Sequence, residues 1–431
     1  MGPLHDTIVA PITAYGRGAV AIVRVSGPDA FDVARRLCPD FPEAPESGRA
    51  RHVRLENGDD GLLLAFAEGS GYTGERSVEF QVHGSTASVQ TLLDACLRLG
   101  CRLAEPGEFT FRAFLNGRMD LTQAEAVRAL AEAQTALQLR EAGLRRDGAL
   151  RLRVAGLRRS LLELLAEVEA RIDFSEEIGD LEPQAVAGRI REVRSAIADL
   201  QATAASGRVL RRGFRVALVG APNAGKSSLL NALAGRDRAI VTDVPGTTRD
   251  FIEEPIDLGG LPVVLIDTAG LRQTDDPVER EGVRRTLEVA AAADLALVLH
   301  PCGCPEAPPE LEHPPSRLLV RTKADLAPPD GPGLAVSAAT GQGLDELRAA
   351  IRRESGVPDS LGPTIEPRHA PLLEAADSAL GLAERALADG LTTDLLATAL
   401  QSALRELGRI DGSEADADLL DAIFSTFCIG K

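Results

Sequence analysis

The chain has 431 residues, of which 44% are hydrophobic and 26% are charged, and its formal net charge is −17. This length predicts two to four domains. The charge excludes broad phosphate-backbone binding over the whole surface, so any nucleic-acid contact must be local or supplied by a partner. No apolar stretch reaches the ~20 residues of a membrane span, and residues 1–12 lack a basic signal-peptide region, which predicts a cytoplasmic protein. The six scattered cysteines match neither a disulfide framework nor a zinc site.

The first two compositional zones predict a small domain followed by helices. Residues 1–118 combine short apolar runs, AVAIVRVSG and RSVEFQVHG, with glycine-rich turns, which predicts an α/β domain. Residues 119–212 are rich in alanine, leucine, arginine and glutamate, and we expect the first half of a helical domain there. Its clearest helical stripe consists of Leu157, Leu161, Leu164, Leu165, Val168 and Ile172.

The next zone, residues 213–357, alternates strand and helix patterns. Its apolar segments FRVALVG, PVVLID, DLALVL, RLLVRT and GLAVSA predict a mostly parallel sheet with helices on both faces. A helical pattern returns over residues 358–431, where one side carries Leu396, Leu400, Leu404 and Leu407. The predicted fold is therefore multidomain: an α/β domain is inserted between the two halves of an all-α helical domain.

Lysine is rare in this chain and occurs only inside motifs. Of the 47 basic residues only Lys226, Lys323 and Lys431 are lysine, and they lie in GAPNAGKS, TKAD and the terminal CIGK. Lysine is a compact point charge, whereas arginine is a broad planar fork. The three lysines therefore indicate positions where an arginine guanidinium group does not fit, at a nucleotide site and at the end of the chain.

The segment GAPNAGKS at 220–227 matches G-x4-G-K-[ST] between a predicted strand and a predicted helix. In such a loop the backbone amides cradle phosphates, Lys226 bridges the outer phosphates, and the Ser227 hydroxyl ligates Mg²⁺. The inserted domain is therefore predicted to be a P-loop domain. Downstream, Thr248 in PGTTRD is a candidate second Mg²⁺ ligand, and DTAG at 267–270 places Asp267 near the metal.

The base is predicted to be guanine. The Asp325 carboxylate in TKAD can accept hydrogen bonds from the N1 and N2 donors of guanine, which adenine lacks, and Ser337 and Ala338 fit a loop that contacts the guanine carbonyl. Thr322 replaces the usual Asn of NKxD. Because threonine still donates a hydrogen bond, we expect weaker positioning of the base with guanine preference retained. These motifs together resemble those of translation-factor-like GTPases.

The hydrolytic machinery differs from that of Ras-like enzymes, which orient the attacking water with a Gln after DTAG. Here that residue is Leu271, so another group must orient the water, and Glu279 is the candidate. Asn223 and the loop 242–248, which is rich in carbonyls and hydroxyls, form a candidate site for a monovalent cation. We therefore predict that GTP hydrolysis requires K⁺.

The predicted GTP contacts form four groups along the chain. They are Asn223, Ala224, Gly225, Lys226, Ser227 and Ser228; Thr242, Asp243, Val244, Pro245, Gly246, Thr247 and Thr248; Asp267, Thr268, Ala269 and Gly270; and Thr322, Lys323, Ala324, Asp325, Ser337, Ala338 and Ala339.

The whole chain resembles the MnmE (TrmE) family of tRNA modification GTPases. The matching segments are DTIVAPIT, GRGAVAIVRVSGP, YTGE, VEFQVHG, PGEFTFRAFLNGRMDLTQAEA, GAPNAGKSSLLNAL, VTDVPGTTRD, DTAGLR, VEREG and CIGK, which follow one another in order from residue 6 to residue 431. The resemblance implies a folate-binding amino-terminal domain that dimerises the protein, and a complex with the FAD-dependent protein MnmG (GidA). The pair would add an aminomethyl or carboxymethylaminomethyl group to C5 of the wobble uridine, U34, of certain tRNAs.

The resemblance also implies particular site residues. Arg24, Glu79, Arg118 and Lys431 would bind a tetrahydrofolate derivative (5-formyl or methylene form) that supplies the one-carbon unit, with Arg118 standing where lysine is common in the family. Asn223, Thr242, Val244 and Thr247 match the potassium loop, and Glu279 matches the water-orienting acid. The candidate catalytic residues are Lys226, Glu279 and Cys428. The sequence alone leaves the role of Cys428 open.

Two other functions fit parts of this pattern. A ribosome-assembly or regulatory GTPase would modify no RNA, but such proteins usually carry basic RNA-binding modules. A folate-dependent enzyme could instead carry a GTPase domain only as a stability or assembly element, which leaves the machinery around Leu271 and Glu279 without a use. How an acidic chain holds tRNA is open, and one hypothesis is that MnmG provides most of the phosphate contacts.

Overall fold

The computed structural model describes residues 5–56, 58–173, 182–236, 252–267, 292–305, 316–390 and 393–430. They divide into two compact units. Unit 1 comprises Met1–Ala131, Arg145–Arg194 and Leu372–Lys431, and unit 2 comprises Glu132–Leu144 and Ser195–Pro371. The predicted fold class is confirmed: each unit contains a sheet, and helices make up much of the remainder. The domain boundaries predicted from composition stay predictions.

The sheet of unit 1 has the order β3-β4-β5-β2-β1-β6, in which only the pairing of β1 with β6 is parallel. The strands are β1 (Ile8–Pro11), β2 (Val20–Ser26), β3 (Ala50–Arg54), β4 (Asp60–Phe66), β5 (Ser77–His83) and β6 (Arg102–Leu103). One face packs on helices α1 (Ala30–Leu37) and α2 (Thr86–Arg98) in an apolar core. Because side chains alternate along β2, Val23 and Val25 enter that core and Arg24 lies on the opposite face.

Helices complete unit 1. They are α3 (Glu108–Leu115), α6 (Ala149–Asp173), α12 (Thr393–Asp411) and α13 (Ala417–Phe424), while α4 (Leu121–Glu132), α5 (Ala136–Arg146), α7 (Pro183–Ala202) and α11 (His369–Ala388) contain residues of both units. The leucine stripe predicted on α12 is buried throughout. The stripe predicted on α6 is buried from Leu157 to Val168, but Ile172 is 36% exposed, so the prediction was wrong at that residue.

Unit 2 contains a sheet of order β12-β11-β10-β7-β9-β8. Its strands are β7 (Phe214–Gly220), β8 (Ile252–Leu258), β9 (Leu261–Asp267), β10 (Leu295–Pro301), β11 (Arg317–Thr322) and β12 (Leu334–Ala335), and its helices include α8 (Ala204–Arg212), α9 (Lys226–Arg236) and α10 (Leu344–Glu354). All five predicted strands form and run parallel, although the last covers only two residues of GLAVSA. The sequence reading missed β8, which pairs antiparallel with β9.

This topology gathers the candidate nucleotide-binding segments. In a parallel sheet the carboxyl ends of the strands meet at one edge, where ligands bind. The phosphate loop follows β7, Asp267 ends β9, and TKAD begins at the end of β11. In the described part of the chain, each helix is too short or too polar to span a lipid bilayer.

Candidate functional site

The phosphate loop contains left-handed backbone conformations and a close approach between strands, both of which favour glycine. Asn223 and Gly225 both adopt positive φ angles, of 63° and 92°. At Gly220, the last residue of β7, an added Cβ would lie 2.7 Å from the carbonyl oxygen of Leu299 on the neighbouring strand β10. A side chain at Gly220 would therefore push these two strands apart, and the loop depends on glycine there.

Lys226 begins helix α9 and turns back into the loop. Its Nζ donates hydrogen bonds of 2.7 Å and 2.9 Å to the carbonyl oxygens of Gly220 and Ala221, and the residue is only 8% exposed. Burial lowers the pKa of this ammonium group, against the opposing effect of the Asp267 carboxylate. A charge that is costly to bury beside a helix amino terminus is well placed to bind an anion such as a nucleotide phosphate.

Oxygen donors lie beside this lysine. The Ser227 hydroxyl on α9 donates a hydrogen bond of 3.1 Å to Oδ2 of Asp267, the last residue of β9. Asp267 is 5% exposed. A hydroxyl and a carboxylate oxygen in contact form a donor set of the hard type that Mg²⁺ prefers.

The residues predicted to recognise the base are brought together by the loops after β11 and β12. The buried Ser337 hydroxyl donates a 2.7 Å hydrogen bond to Oδ1 of the exposed Asp325. The backbone amide of Thr340 in turn donates to the Ser337 hydroxyl at 3.1 Å, and the amide of Ala324 donates to the carbonyl of Val336. These bonds orient one carboxylate oxygen of Asp325 and leave its other oxygen to accept from a base.

Thr322 contacts the phosphate loop. Its hydroxyl donates a 2.7 Å hydrogen bond to the carbonyl oxygen of Ala224, and both residues are buried. The next residue, Lys323, has a φ of 59°, which turns the chain sharply into the Asp325 loop. The hydroxyl proton of Thr322 is therefore used within the protein, a partner that the sequence did not predict.

Several predicted site residues lie outside the described residues. They are Thr242, Asp243, Val244, Pro245, Gly246, Thr247, Thr248, Thr268, Ala269, Gly270, Glu279 and Lys431. Of the described candidates, the structure brings the phosphate-loop group, Asp267 and the group around Asp325 to one edge of the unit 2 sheet.

A second candidate site lies in unit 1, on the face of the sheet opposite its main core. Arg24 and Glu79 are opposite each other on β2 and β5, and the Arg24 Nε and Nη2 donate to one Glu79 oxygen at 3.0 Å and 2.8 Å. The Arg24 guanidinium also stacks over Tyr72 and Phe109, at 4.8 Å and 5.3 Å from the ring centroids. Sequence reasoning missed both rings, because nothing local in YTGE or PGEFTF distinguishes a site residue from a packing residue.

Arg118 and the carboxy-terminal tail also belong to unit 1. Arg118 donates hydrogen bonds of 3.1 Å and 3.3 Å to the carbonyl oxygens of Gly69 and Gly71, which directly precede Tyr72 in the same loop. In the tail, Gly430 has a φ of 94°, and a Cβ added there would lie 2.2 Å from the carbonyl oxygen of Pro11. Pro11 is the last residue of β1 and follows Ala10, which pairs with Arg24 of β2. The tail is thus seated on the end of β1, with Cys428 exposed.

A buried ionic network underlies this region. Arg112 is 1% exposed and donates to the Asp6 backbone carbonyl at 2.8 Å and to Glu108 at 3.0 Å. Arg102 pairs with Glu108 at 2.7 Å and with Asp6 at 2.7 Å. Hydrogen bonds from Arg102 and Arg112 outweigh the effect of burial and lower the pKa of the Asp6 carboxyl. The EFTFR segment therefore has a structural role that its sequence did not reveal.

The fold and site of unit 2 define a class of protein. A parallel sheet with a phosphate loop after one strand, an acidic residue at the end of the next, and an Asp-bearing base loop after a third is the arrangement of a P-loop GTPase. Residues 121–428 match the model of the MnmE helical domain, and residues 7–118 match that of the GTP-binding protein TrmE N-terminus.

The chain belongs to the MnmE family. A relative from Chloroflexus aurantiacus is 44% identical over 99% of this chain and 100% of its own, and one from Methylorubrum populi is 46% identical over 99% and 98%. A relative from Thermus thermophilus is 43% identical over 99% and 100%. All three bear the name tRNA modification GTPase MnmE. The G domain of the Thermotoga maritima FeoB iron transporter aligns with 33% of this chain and 98% of its own at 28% identity, with a TM-score of 0.26 that is too low to support the fold.

Proposed function

We propose that this chain couples GTP hydrolysis to tRNA modification at C5 of the wobble uridine, U34, where it acts with the FAD-dependent protein MnmG to add an aminomethyl or carboxymethylaminomethyl group. The observation that carries the proposal is the combination, in one chain, of a GTPase site and a separate polar site in unit 1, where the family's terminal CIGK tail packs on the end of β1. A purely regulatory GTPase has no use for the second site.

In the GTPase site, Lys226 would neutralise the outer phosphates, and Ser227 and Thr248 would hold Mg²⁺. The contact between Ser227 and Asp267 supports that assignment, because the two supply oxygen donors from different elements. Asn223, Thr242, Val244 and Thr247 would hold K⁺, which supplies positive charge at the phosphates in place of an arginine finger.

Hydrolysis would depend on Glu279 orienting the attacking water, because Leu271 has no polar group for that task. Turnover in potassium buffer is expected to exceed turnover in sodium buffer of equal ionic strength. Equal turnover in the two buffers would contradict the K⁺ assignment while leaving the modification role open.

The second site has groups that suit a tetrahydrofolate derivative. The Glu79 carboxylate can accept hydrogen bonds from a nitrogen heterocycle, and the Arg24 and Arg118 guanidinium groups can pair with carboxylates. Tyr72 and Phe109 add aromatic surface beside Arg24. When bound, such a cofactor supplies the one-carbon unit, and the seated tail would bring Lys431 and Cys428 to the same region. We further propose that the amino-terminal domain dimerises the chain.

The test is mass spectrometry of the nucleosides in bulk tRNA from cells that lack this chain. We expect loss of 5-aminomethyl-type wobble uridines, restored by the wild-type chain but not by Cys428→Ser or Glu279→Ala. An unchanged nucleoside profile beside a ribosome-assembly defect would replace the proposal with the regulatory GTPase. Full restoration by Glu279→Ala would favour the folate-dependent enzyme with an accessory GTPase domain.

A further inference from the structure

Helix α6 has two halves of opposite charge. Residues 149–162 contain four arginines and no acidic residue, whereas residues 163–173 contain four acidic residues and one arginine. The helix dipole favours the reverse order, with acidic residues in the first turn and basic residues in the last. Helix stability therefore does not explain the arrangement.

Two carboxylates of the acidic half have close partners within unit 1. Glu167 pairs with Arg171 at 2.8 Å and with Arg189 at 2.9 Å. Glu169 accepts a hydrogen bond of 3.1 Å from Gln401 on α12. These two carboxylates are used in the packing of the helices, whereas Glu163 is 64% exposed and has a long contact of 3.8 Å with Arg189.

The basic half is not neutralised. Arg153 and Arg159 are exposed, and neither forms a hydrogen bond or an ion pair with any residue in the described ranges. Arg151 is 58% exposed and has one long contact, 3.8 Å, with Asp120. Of the four arginines, Arg158 alone has a close ion pair among the described residues, at 2.8 Å from Asp411. Three guanidinium groups therefore face the solvent on a chain whose net charge is −17.

The three exposed guanidinium groups are distributed along and around α6. The α-helix rises 1.5 Å per residue, so Arg151 and Arg159 are separated by ~12 Å along the axis. Arg159 points away from the buried Val154 and Leu157, whereas Arg151 and Arg153 lie at the two edges of the exposed side of α6, because successive residues turn by ~100° about the axis. Guanidinium groups spread over the exposed side of a helix in this way can each bind one phosphate of a nucleic-acid backbone that runs across it.

The position of this surface favours tRNA as the occupant. Asp120, which Arg151 contacts, lies two residues after Arg118, one of the candidate folate ligands. A base that receives a one-carbon unit at that site must bring its own backbone close to it. We infer that Arg151, Arg153 and Arg159 form a contact surface for tRNA backbone phosphates. This inference rests on the proposed function, and it describes the local nucleic-acid contact that the overall charge requires.

The experiment measures binding of bulk tRNA, isolated from cells lacking this chain, by the full chain at several salt concentrations. The test variant is Arg153→Gln/Arg159→Gln, which leaves the Arg151–Asp120 pair intact. Each arginine–phosphate pair that a substitution removes lowers the slope of log affinity against log salt by about 1, so the slope should fall by about 2 and affinity at ~0.1 M salt about tenfold. GTP turnover of the same preparation reports correct folding.

The matched control is Arg405→Gln. Arg405 is also exposed, and it lies on α12 between Gln401 and Asp411, which contact Glu169 and Arg158 of α6. Its level on the bundle is therefore close to the acidic half, and its loss should leave the slope unchanged. An equal effect of Arg405→Gln would mean that general charge, and not this surface, governs binding.

The other outcomes separate the inference from the proposed function. If the double variant binds tRNA as the wild type does but no longer binds MnmG, the surface docks an acidic protein and the inference is wrong. If the double variant and the wild type bind tRNA with the same salt slope and both still bind MnmG, the inference is wrong but the modification role stands. If the wild-type nucleoside profile matches that of cells lacking the chain, the proposed function itself fails.

Discussion

The hydroxyl of Thr322 donates a hydrogen bond of 2.7 Å to the carbonyl oxygen of Ala224, across 98 positions of sequence. The bond joins the end of β11 to the phosphate loop, so the segments predicted to contact the base and the phosphates are directly connected. Because the hydroxyl has a single proton, Thr322 cannot also donate to the base. Base selectivity is therefore expected to rest on Asp325, which Ser337 orients.

Thr322→Val tests this connection. Valine has nearly the same shape but leaves the buried Ala224 carbonyl without a donor, a cost of about 1–3 kcal/mol. We expect affinities for GTP and GDP to fall together, by about tenfold or more, with the preference for guanine over adenine unchanged. Calorimetric titration with GDP and ADP measures both quantities, and Thr322→Ser should restore affinity. Loss of base discrimination at unchanged GDP affinity would show instead that Thr322 contacts the base.

Lys226→Arg tests whether the phosphate loop can accommodate a planar guanidinium group in place of the lysine ammonium group. The lysine Nζ fits between two carbonyl oxygens at 2.7 Å and 2.9 Å in a buried position, where the larger guanidinium would displace the loop. We expect GTP turnover to fall at least about 100-fold, with the unfolding midpoint little changed. Steady-state phosphate release and thermal unfolding provide the readouts. Wild-type turnover by the arginine variant would show that the rarity of lysine has no chemical meaning at this position.

Glu108→Gln tests the buried network of unit 1. Burial opposes ionisation of Glu108, but hydrogen bonds from Arg102, the Glu105 amide and Arg112 outweigh it and lower the pKa below 4.5. Because the pKa of Glu108 is lower in the folded state, its ionised carboxylate stabilises the fold at any pH above the pKa of the unfolded state. That stabilisation is lost as the pH falls through the pKa of the folded state. The variant should cost about 3 kcal/mol at neutral pH, because it leaves buried arginines without a full partner.

The pH dependence of that cost provides the decisive readout. Denaturant unfolding of wild type and variant should differ most above pH 4.5 and converge below it. The matched control is Glu46→Gln, which breaks a solvent-exposed pair with Arg49 and should change stability little at any pH. A Glu108→Gln cost that persists unchanged in acid would show that shape, and not charge, is what the site requires.

Gly430→Ala tests the seating of the carboxy-terminal tail. The new Cβ would lie 2.2 Å from the Pro11 carbonyl oxygen, so the tail must leave the end of β1. We expect loss of the modified wobble uridines with GTP turnover within about twofold of wild type, because the GTPase residues are untouched.

The control for the tail is Gly100→Ala. Gly100 has nearly the same backbone angle, a φ of 96° against 94°, but no atom within 4 Å of an added Cβ. It carries the same backbone strain without the displacement. If both variants retain modification, the position of the tail is not needed for the reaction, and if both lose it, strain and not seating is responsible.

Particular residues show how far sequence reasoning reached. The leucines of α12 and the five parallel strands of unit 2 were predicted correctly, because burial of one face imposes a period that a single segment displays. Ile172 was misplaced because its spacing continues the stripe while no packed neighbour among the described residues covers it fully there. Strand β8 was missed since its pattern, IEEPIDL, contains a proline and becomes a strand by pairing with β9.

The sequence by itself determined the nucleotide chemistry of this protein. A phosphate loop is a local backbone shape, so the spacing of Gly220, Gly225 and Lys226 is enough to specify it. Only the tertiary structure decided the partner of Thr322, the stacking of Arg24 on Tyr72 and Phe109, the seat of Gly430 against Pro11, and the exposure of Arg153 and Arg159. Those relationships join residues distant along the chain, and their energies depend on distances that exist only once the elements have packed.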